Sequence, residues 1–473
     1  MRHRLPTRPS SASSLRHYLS LLILPHARIF QSLGLNYVLS DRLTQLQIAS
    51  PTPAQRKAIP PILAGEDVVV AAETGGGKTL AFLLPLVELL RRNPLPPDNM
   101  RLPTALVLTT SQDLVRQLAA VLHQVDPELA RLSVSLSSSR QVVVHGTRPC
   151  PLVLATPGAL LRATKPKDFA FTQTVVVDEA DMLLSGGFEK DTKQILATIR
   201  NQPLMRAALN RCGVEPQDID DDGFSTSQTQ TIFSAATIPD YGKRSVRHYI
   251  DHKFPSVVFA MTEGFHRTLP NLTLHTHNLQ VFMASRVFDS EQHARCELLY
   301  EILTSKEKDS MAASAGGKTL VFTNSIATAD TLFHFLENDK GMDSCALFHK
   351  EVNRLQRQKL LKRLSSDDGA DSHLVVICTD IAARGLDTTK VAHVVQFEFA
   401  SDVVSYLHRI GRTGRAGTPG IVTNIESSEN SLVVDKIRKA GASTLQDAFS
   451  RKRSLRKKFK KNINSSSHRD YYG

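Results

Sequence analysis

Between Asp67 and Phe233, short aliphatic and β-branched runs alternate with longer stretches whose apolar positions recur at helical spacing. The runs are "DVVVAA", "TALVLT", "PLVLAT", "TVVVDE" and "QTIFSA". They are apolar throughout rather than at every second position, which predicts parallel strands buried on both faces. A second series, "TLVFTN", "SCALFH", "HLVVICT", "AHVVQFE" and "GIVTNI", repeats the pattern. The prediction is α/β: two tandem doubly wound parallel-sheet domains, over residues 29–262 and 273–440. "MTEGFHRTLP", Met261 to Pro270, brings Gly and Pro together and sets a flexible linker at residues 263–272.

Two polar stretches read as loops: "EPQDIDDDGFSTSQTQ" from Glu215 and "SKEKDSMAASAGG" from Ser305. Residues 441–473 contain "RKRSLRKKFKK", a like-charge run that is solvated and disordered by itself, yet able to release counterions from a polyanion. The first forty residues hold no Asp or Glu. With their arginines and serines, residues 1–28 read as an organelle transit peptide, a secretory signal or a basic arm that touches RNA. No small-residue cleavage site follows "YLSLLIL", which favours the organelle, a mitochondrion ahead of a chloroplast on arginine content, with nucleus or nucleolus as the alternative. That apolar stretch is far below the roughly 18 residues that cross a bilayer, so no membrane partner is expected.

At 473 residues the chain is too long for one core of ordinary size, and 41% hydrophobic residues suffice for two. Lys plus Arg exceed Asp plus Glu by 58 to 46, which favours a polyanionic partner such as nucleic acid. The five cysteines have no C-x-x-C spacing, so neither a zinc site nor a disulfide framework is written here.

"AAETGGGKT", Ala71 to Thr79, lies between a strand and a helical pattern. Thr74 opens the turn, and Gly75, Gly76 and Gly77 let backbone N–H groups approach phosphate oxygens. Lys78 adds a point charge and Thr79 a hydroxyl able to ligate Mg²⁺. A tight turn with no ligand also uses glycines, but does not require Lys-Thr at the start of a helix. "AGGKT", Ala315 to Thr319, ends the same way but precedes a strand, and reads as a loop lysine.

"VVVDEADMLL" sets three carboxylates within four positions. An exposed strand end before a solvated helix start would explain them by the helix dipole. A metal-bound triphosphate on Lys78 and Thr79 explains them better: Asp178 holds Mg²⁺ and Glu179 positions the attacking water. In the second domain, "YLHRIGRTGRAG" spaces His408, Arg409, Arg412 and Arg415 with glycines, and arginine forks offered across a cleft stabilise a transferring phosphoryl group. An arginine loop that binds only structural carboxylates is the bland alternative.

The order "PTPAQ", "AETGGGKT", "TPG", "DEAD", "AAT", "TDIAARGLD" and "HRIGRTGR" resembles the DEAD-box RNA helicases of superfamily 2, over approximately Phe30 to Ile425, and most of all their divergent organellar members. The resemblance implies RecA-like domains, a helicase activity driven by hydrolysis of ATP with Mg²⁺, and RNA, single-stranded or in a short duplex, as the partner of a monomer. It implies that Gln55 reads adenine and Phe30 stacks on it, that Arg412 and Arg415 reach the γ-phosphate, and that Asp387 meets the ribose. It gives RNA contacts to Thr156, Gly158, Thr379 and Arg384, and interdomain coupling to Asp181, Ala236, Thr237 and His408.

Several positions depart from the family pattern. Gln112 in "TSQDL" replaces an arginine, Ala159 stands where Arg is expected, and Lys350 follows His349 where Gly is usual. The family's Ser-Ala-Thr reads Ala235, Ala236, Thr237, with Ser234 one place early. Unwinding is therefore less secure than hydrolysis, and an ATP-gated RNA clamp or assembly factor is the rival expectation. A DNA translocase is disfavoured by "DEAD" together with Gln55.

Overall fold

The structure is a computed structural model that describes residues 29–92, 103–136, 150–169, 172–200, 229–238, 245–263, 265, 271–304, 317–366, 373–383, 388, 390–415 and 418–440. In the first domain the apolar runs become β1 (Val68–Ala71), β2 (Ala105–Leu108), β4 (Leu152–Ala155), β5 (Thr174–Asp178) and β6 (Gln230–Ala235), with β3 (Val134–Leu136) and β7 (Val258–Met261) as additions. Every pairing is parallel, in the order β3-β4-β2-β5-β6-β1-β7. The second sheet is also parallel, in the order β10-β11-β9-β12-β13-β8. Its strands are β8 (Leu272–Asn278), β9 (Lys318–Thr323), β10 (Cys345–Phe348), β11 (Val375–Thr379), β12 (Val391–Gln396) and β13 (Gly420–Glu426). The two-domain α/β architecture is the one expected.

Continuous apolar runs follow from cores on both faces. Val68 and Val70 enter one core with Phe82 and Leu118, while Val69 and Ala71 enter another with Leu160 and Phe233. Successive strand side chains point to opposite faces, so a strand covered twice needs apolar residues at every position. Leu320 and Phe322 divide from Val321 between the two cores of the second domain in the same way.

The reversal of strand order fixes where the functional loops lie. β6 sits between β1 and β5, so the turn after β1 and the carboxylates after β5 leave the sheet two strand spacings apart, roughly 10 Å. That crevice at the carboxyl edge is where open α/β sheets bind ligands.

Lys318 is not a loop residue. It opens β9 at 2% exposure and its Nζ donates to the carbonyls of Arg363 (2.5 Å), Leu364 (3.1 Å) and Ser366 (2.6 Å). It thereby satisfies the orphan carbonyls at the end of the helix Arg354–Ser365 and complements its dipole. The second Gly-Lys-Thr is structural.

Candidate active site

The phosphate loop is braced from behind by the start of the helix Pro53–Leu63. Thr52 and Gln55 form a capping box, with Thr52 N donating to Gln55 Oε1 at 3.0 Å. The same two side chains hold the loop: Thr52 Oγ1 donates to Gly76 O (2.9 Å) and Gln55 Nε2 to Gly77 O (3.2 Å). A Cβ at Gly77, where φ is +81°, would lie 2.8 Å from each of them, so only glycine fits. Lys78 begins the helix Lys78–Arg92, and its Nζ donates to Ala72 O and Glu73 O, both at 2.8 Å. Burial pulls the ammonium down to about 8 against the opposing pull of Asp178, Asp181 and Glu73. Phe30 is 1% exposed and packs in the core with Leu39, Ile59 and Phe82. Its ring is not presented at the surface for a base.

Asp178 ends β5 beside Ser234 of β6. Burial, then the charge of Glu179, pushes its carboxyl up to about 6, while Ser234 and Lys78 pull the other way. Glu179 follows with φ 52° and ψ 48°, a left-handed conformation that costs a non-glycine residue about 1–3 kcal/mol. The turn aims Glu179 at Thr110, whose Oγ1 donates to the Glu179 carboxylate. Thr110 is a residue the sequence reasoning passed over; its place at the head of "TSQDL", two positions before Gln112 in a motif already flagged, was the available signal.

From the second domain, the helix Val403–Ile410 and the turn after it bring His408, Arg412 and Arg415 to the same cleft. The cleft is lined by Thr74, Gly75, Gly77, Lys78, Thr79, Asp178, Glu179 and Ala236 on one side and by these three on the other. Arg412 Nε donates to His408 O (3.2 Å) and Arg415 Nε to Gly411 O (3.0 Å). Arg409 does not join them. It is 1% exposed and turns inward, with Nε 2.6 Å from Asp380 Oδ1, and Nη groups 2.6 Å from Asn324 Oδ1 and Glu398 O. On a helix of 3.6 residues per turn, Arg409 is rotated about 100° from His408, which sends it into the core.

The domains meet through specific contacts. Asp181, 3% exposed, accepts from Thr237 Oγ1 (2.5 Å) and Thr237 N (3.1 Å), and its Oδ2 lies 3.0 Å from His408 Nε2. Burial would raise this carboxyl, but His408 and Thr237 outweigh it and hold it below the usual range. Arg357 reaches to 3.9 Å from Asp113, which Arg116 also pairs. Gly411 packs on the phosphate loop, where an added Cβ would fall 2.7 Å from Thr74 Oγ1.

The other expected residues lie at carboxyl edges without converging on the cleft. Thr156 is the N-cap of the helix Pro157–Ala163 without a side-chain capping bond, Gly158 lies inside that helix, and Thr379 ends β11. Arg384 and Asp387 lie outside the described residues. Thr79 and Asp178 supply a hydroxyl and a carboxylate to one cleft. No group of three metal-ligating side chains occurs among the described residues. Mg²⁺ is commonly held by one or two protein oxygens together with substrate phosphates, so this donor set fits it.

A P-loop, an Asp-Glu pair at the end of a nearby strand, and arginines from a second parallel-sheet domain define a nucleotide-hydrolysing enzyme with a site shared by two domains. Residues 52–244 match the DEAD/DEAH box helicase family and residues 294–417 the helicase conserved C-terminal domain. The DEAD-box ATP-dependent RNA helicase 22 of Oryza sativa subsp. japonica is 29% identical over 91% of this chain and 84% of its own length. Its Arabidopsis thaliana namesake is 28% identical over 92% and 84%. The fold resembles Mss116p bound to ssRNA and AMP-PNP, with a TM-score of 0.66, 22% identity, and coverage of 88% of this chain and 77% of that one. S. cerevisiae Dbp5 bound to RNA and ADP BeF3 gives a TM-score of 0.62 at 21% identity, over 87% and 92%. The chain belongs to the DEAD-box family of superfamily 2 helicases.

Proposed function

We propose that the protein is an RNA-dependent ATPase that uses ATP to close its domains on RNA and open short duplexes locally or remodel ribonucleoprotein. The observation that carries this is the joint cleft, in which Lys78, Thr79, Asp178 and Glu179 face His408, Arg412 and Arg415. Lys78 and the loop N–H groups bind the β- and γ-phosphates, Glu179 orients water and takes its proton, and the two arginines stabilise charge on the transferring group. Thr79 and Asp178 would hold Mg²⁺, which neutralises phosphate charge when bound. Because the charges come from two bodies, turnover requires closure. RNA lying across both domains at Thr156, Gly158, Thr379 and Arg384 would favour the closed state.

Unwinding, rather than clamping alone, is supported by the contact of Asp181 with both Thr237 and His408. Ala235 in place of the family's serine leaves this link intact. The set is complete within one chain, which supports action as a monomer. The compartment we propose is a mitochondrion, on the acid-free, arginine-rich residues 1–28; a reporter carrying them that stays outside mitochondria would contradict it.

The test compares ATPase rates with and without single-stranded RNA, and displacement of a short duplex, for the natural chain and Glu179→Gln. RNA should stimulate hydrolysis, and Glu179→Gln should retain ATP binding while losing about 10²–10⁴-fold in turnover. Stimulated hydrolysis without displacement would select the clamp.

A further inference from the structure

Asn271 lies at the exit of the interdomain linker and is not among the residues that line the cleft. Its side-chain amide has two N–H donors, and they go to two carbonyls that bracket Arg415: Gly414 O at 3.0 Å, and Thr418 O. Its backbone carbonyl accepts from Gly420 N at 3.0 Å, which ties the same turn to the first residues of β8 and β13. Thr418 closes the loop from within, its Oγ1 donating to Arg415 O at 2.7 Å.

The turn is shaped to fit this support. Gly414 has φ +68°, and a Cβ there would lie 2.6 Å from Leu272 Cδ2, so the turn lies flat on the residue after Asn271. Arg415 leaves the clamped turn and runs over the phosphate loop, with its Cγ 3.7 Å from where a Cβ on Gly75 would stand. Gly414 and Thr418 are therefore both held by Asn271, and Arg415 lines the cleft.

We propose that Asn271 is a positioning residue for Arg415, which it seats through the carbonyls of Gly414 and Thr418 on either side. The inference rests on the proposed ATPase site and adds to it a residue from outside the motifs. Because catalytic constellations tolerate misplacement of only a fraction of an ångström, loosening this clamp costs turnover rather than substrate binding.

Asn271→Asp keeps the side chain's shape but removes both donors and sets a carboxylate against two carbonyls. The experiment measures RNA-stimulated ATPase for the natural chain, Asn271→Asp, Asn271→Ala, Arg415→Ala and the double variant Asn271→Ala with Arg415→Ala, each with its thermal unfolding midpoint. Both Asn271 variants should lose about tenfold in kcat with the KM for ATP within about twofold. In the Arg415→Ala background, Asn271→Ala should have no further effect on kcat. Additive losses, or an unchanged kcat in both single variants, would overturn the role of Asn271. If Arg415→Ala itself turned over normally, the proposed site would fail instead, independently of Asn271. A lowered unfolding midpoint with additive kinetics would mark a purely structural role.

Discussion

His408 Nε2 of the second domain lies 3.0 Å from Asp181 Oδ2 of the first, and the same oxygen accepts from Thr237 Oγ1 at 2.5 Å. One buried carboxylate oxygen therefore joins the end of "DEAD", the shifted Ser-Ala-Thr segment and the arginine helix.

Breaking this junction should separate hydrolysis from strand displacement. Asp181→Ala leaves His408 and Thr237 without their shared acceptor and should reduce duplex displacement more than RNA-stimulated ATPase. In a double-mutant cycle, Asp181→Ala and His408→Ala should couple by roughly 0.5–3 kcal/mol. Displacement and hydrolysis falling in equal proportion would contradict a coupling role.

Thr110 should act through Glu179. Thr110→Val keeps the volume and removes the hydroxyl that donates to the Glu179 carboxylate. Losing one such bond to a charged group should slow kcat about tenfold at unchanged ATP affinity. A weakened ATP affinity with normal kcat would place Thr110 in binding instead.

Gly411 should be intolerant of any side chain, chiefly for a reason that arises on closure. Its φ is −69°, which suits alanine, but a Cβ would fall 2.7 Å from Thr74 Oγ1 across the interface. Gly411→Ala should fold with a normal unfolding midpoint, bind ATP, and lose most RNA stimulation. Unimpaired stimulation would show that the two domains hydrolyse ATP without this approach.

Lys318 and Lys78 both follow glycine and precede threonine, and should fail differently. Lys318→Met leaves the carbonyls of Arg363, Leu364 and Ser366 without their donor and should cost roughly 2–4 kcal/mol of stability, with ATPase per folded molecule intact. Lys78→Ala should do the reverse. Denaturant unfolding beside ATP binding separates them.

These two lysines show what was legible in the sequence. The fully buried strands were readable because a sheet covered on both faces demands unbroken apolar runs. β3, β7 and β8 were not, being edge strands that are short or polar; "LTLHTHN" of β8 is exposed along nearly its whole length. The phosphate loop, Asp178 and Glu179 were legible because their chemistry needs fixed residues at fixed spacing. Arg409 was misgrouped with the cleft arginines because spacing on a helix hides which face is inward. Thr110 and Asn271 gave no signal strong enough to single them out, since the neighbours each one bonds are brought close only by folding.

The most direct test of a site shared by two domains is single-turnover ATP hydrolysis at saturating RNA by a variant carrying Arg412→Ala and Arg415→Ala, with nucleotide binding measured beside it. Binding by the first domain should persist while turnover falls by about 10³-fold or more. Turnover at the natural rate would contradict it, because the first domain would then hydrolyse ATP without the charges of the second.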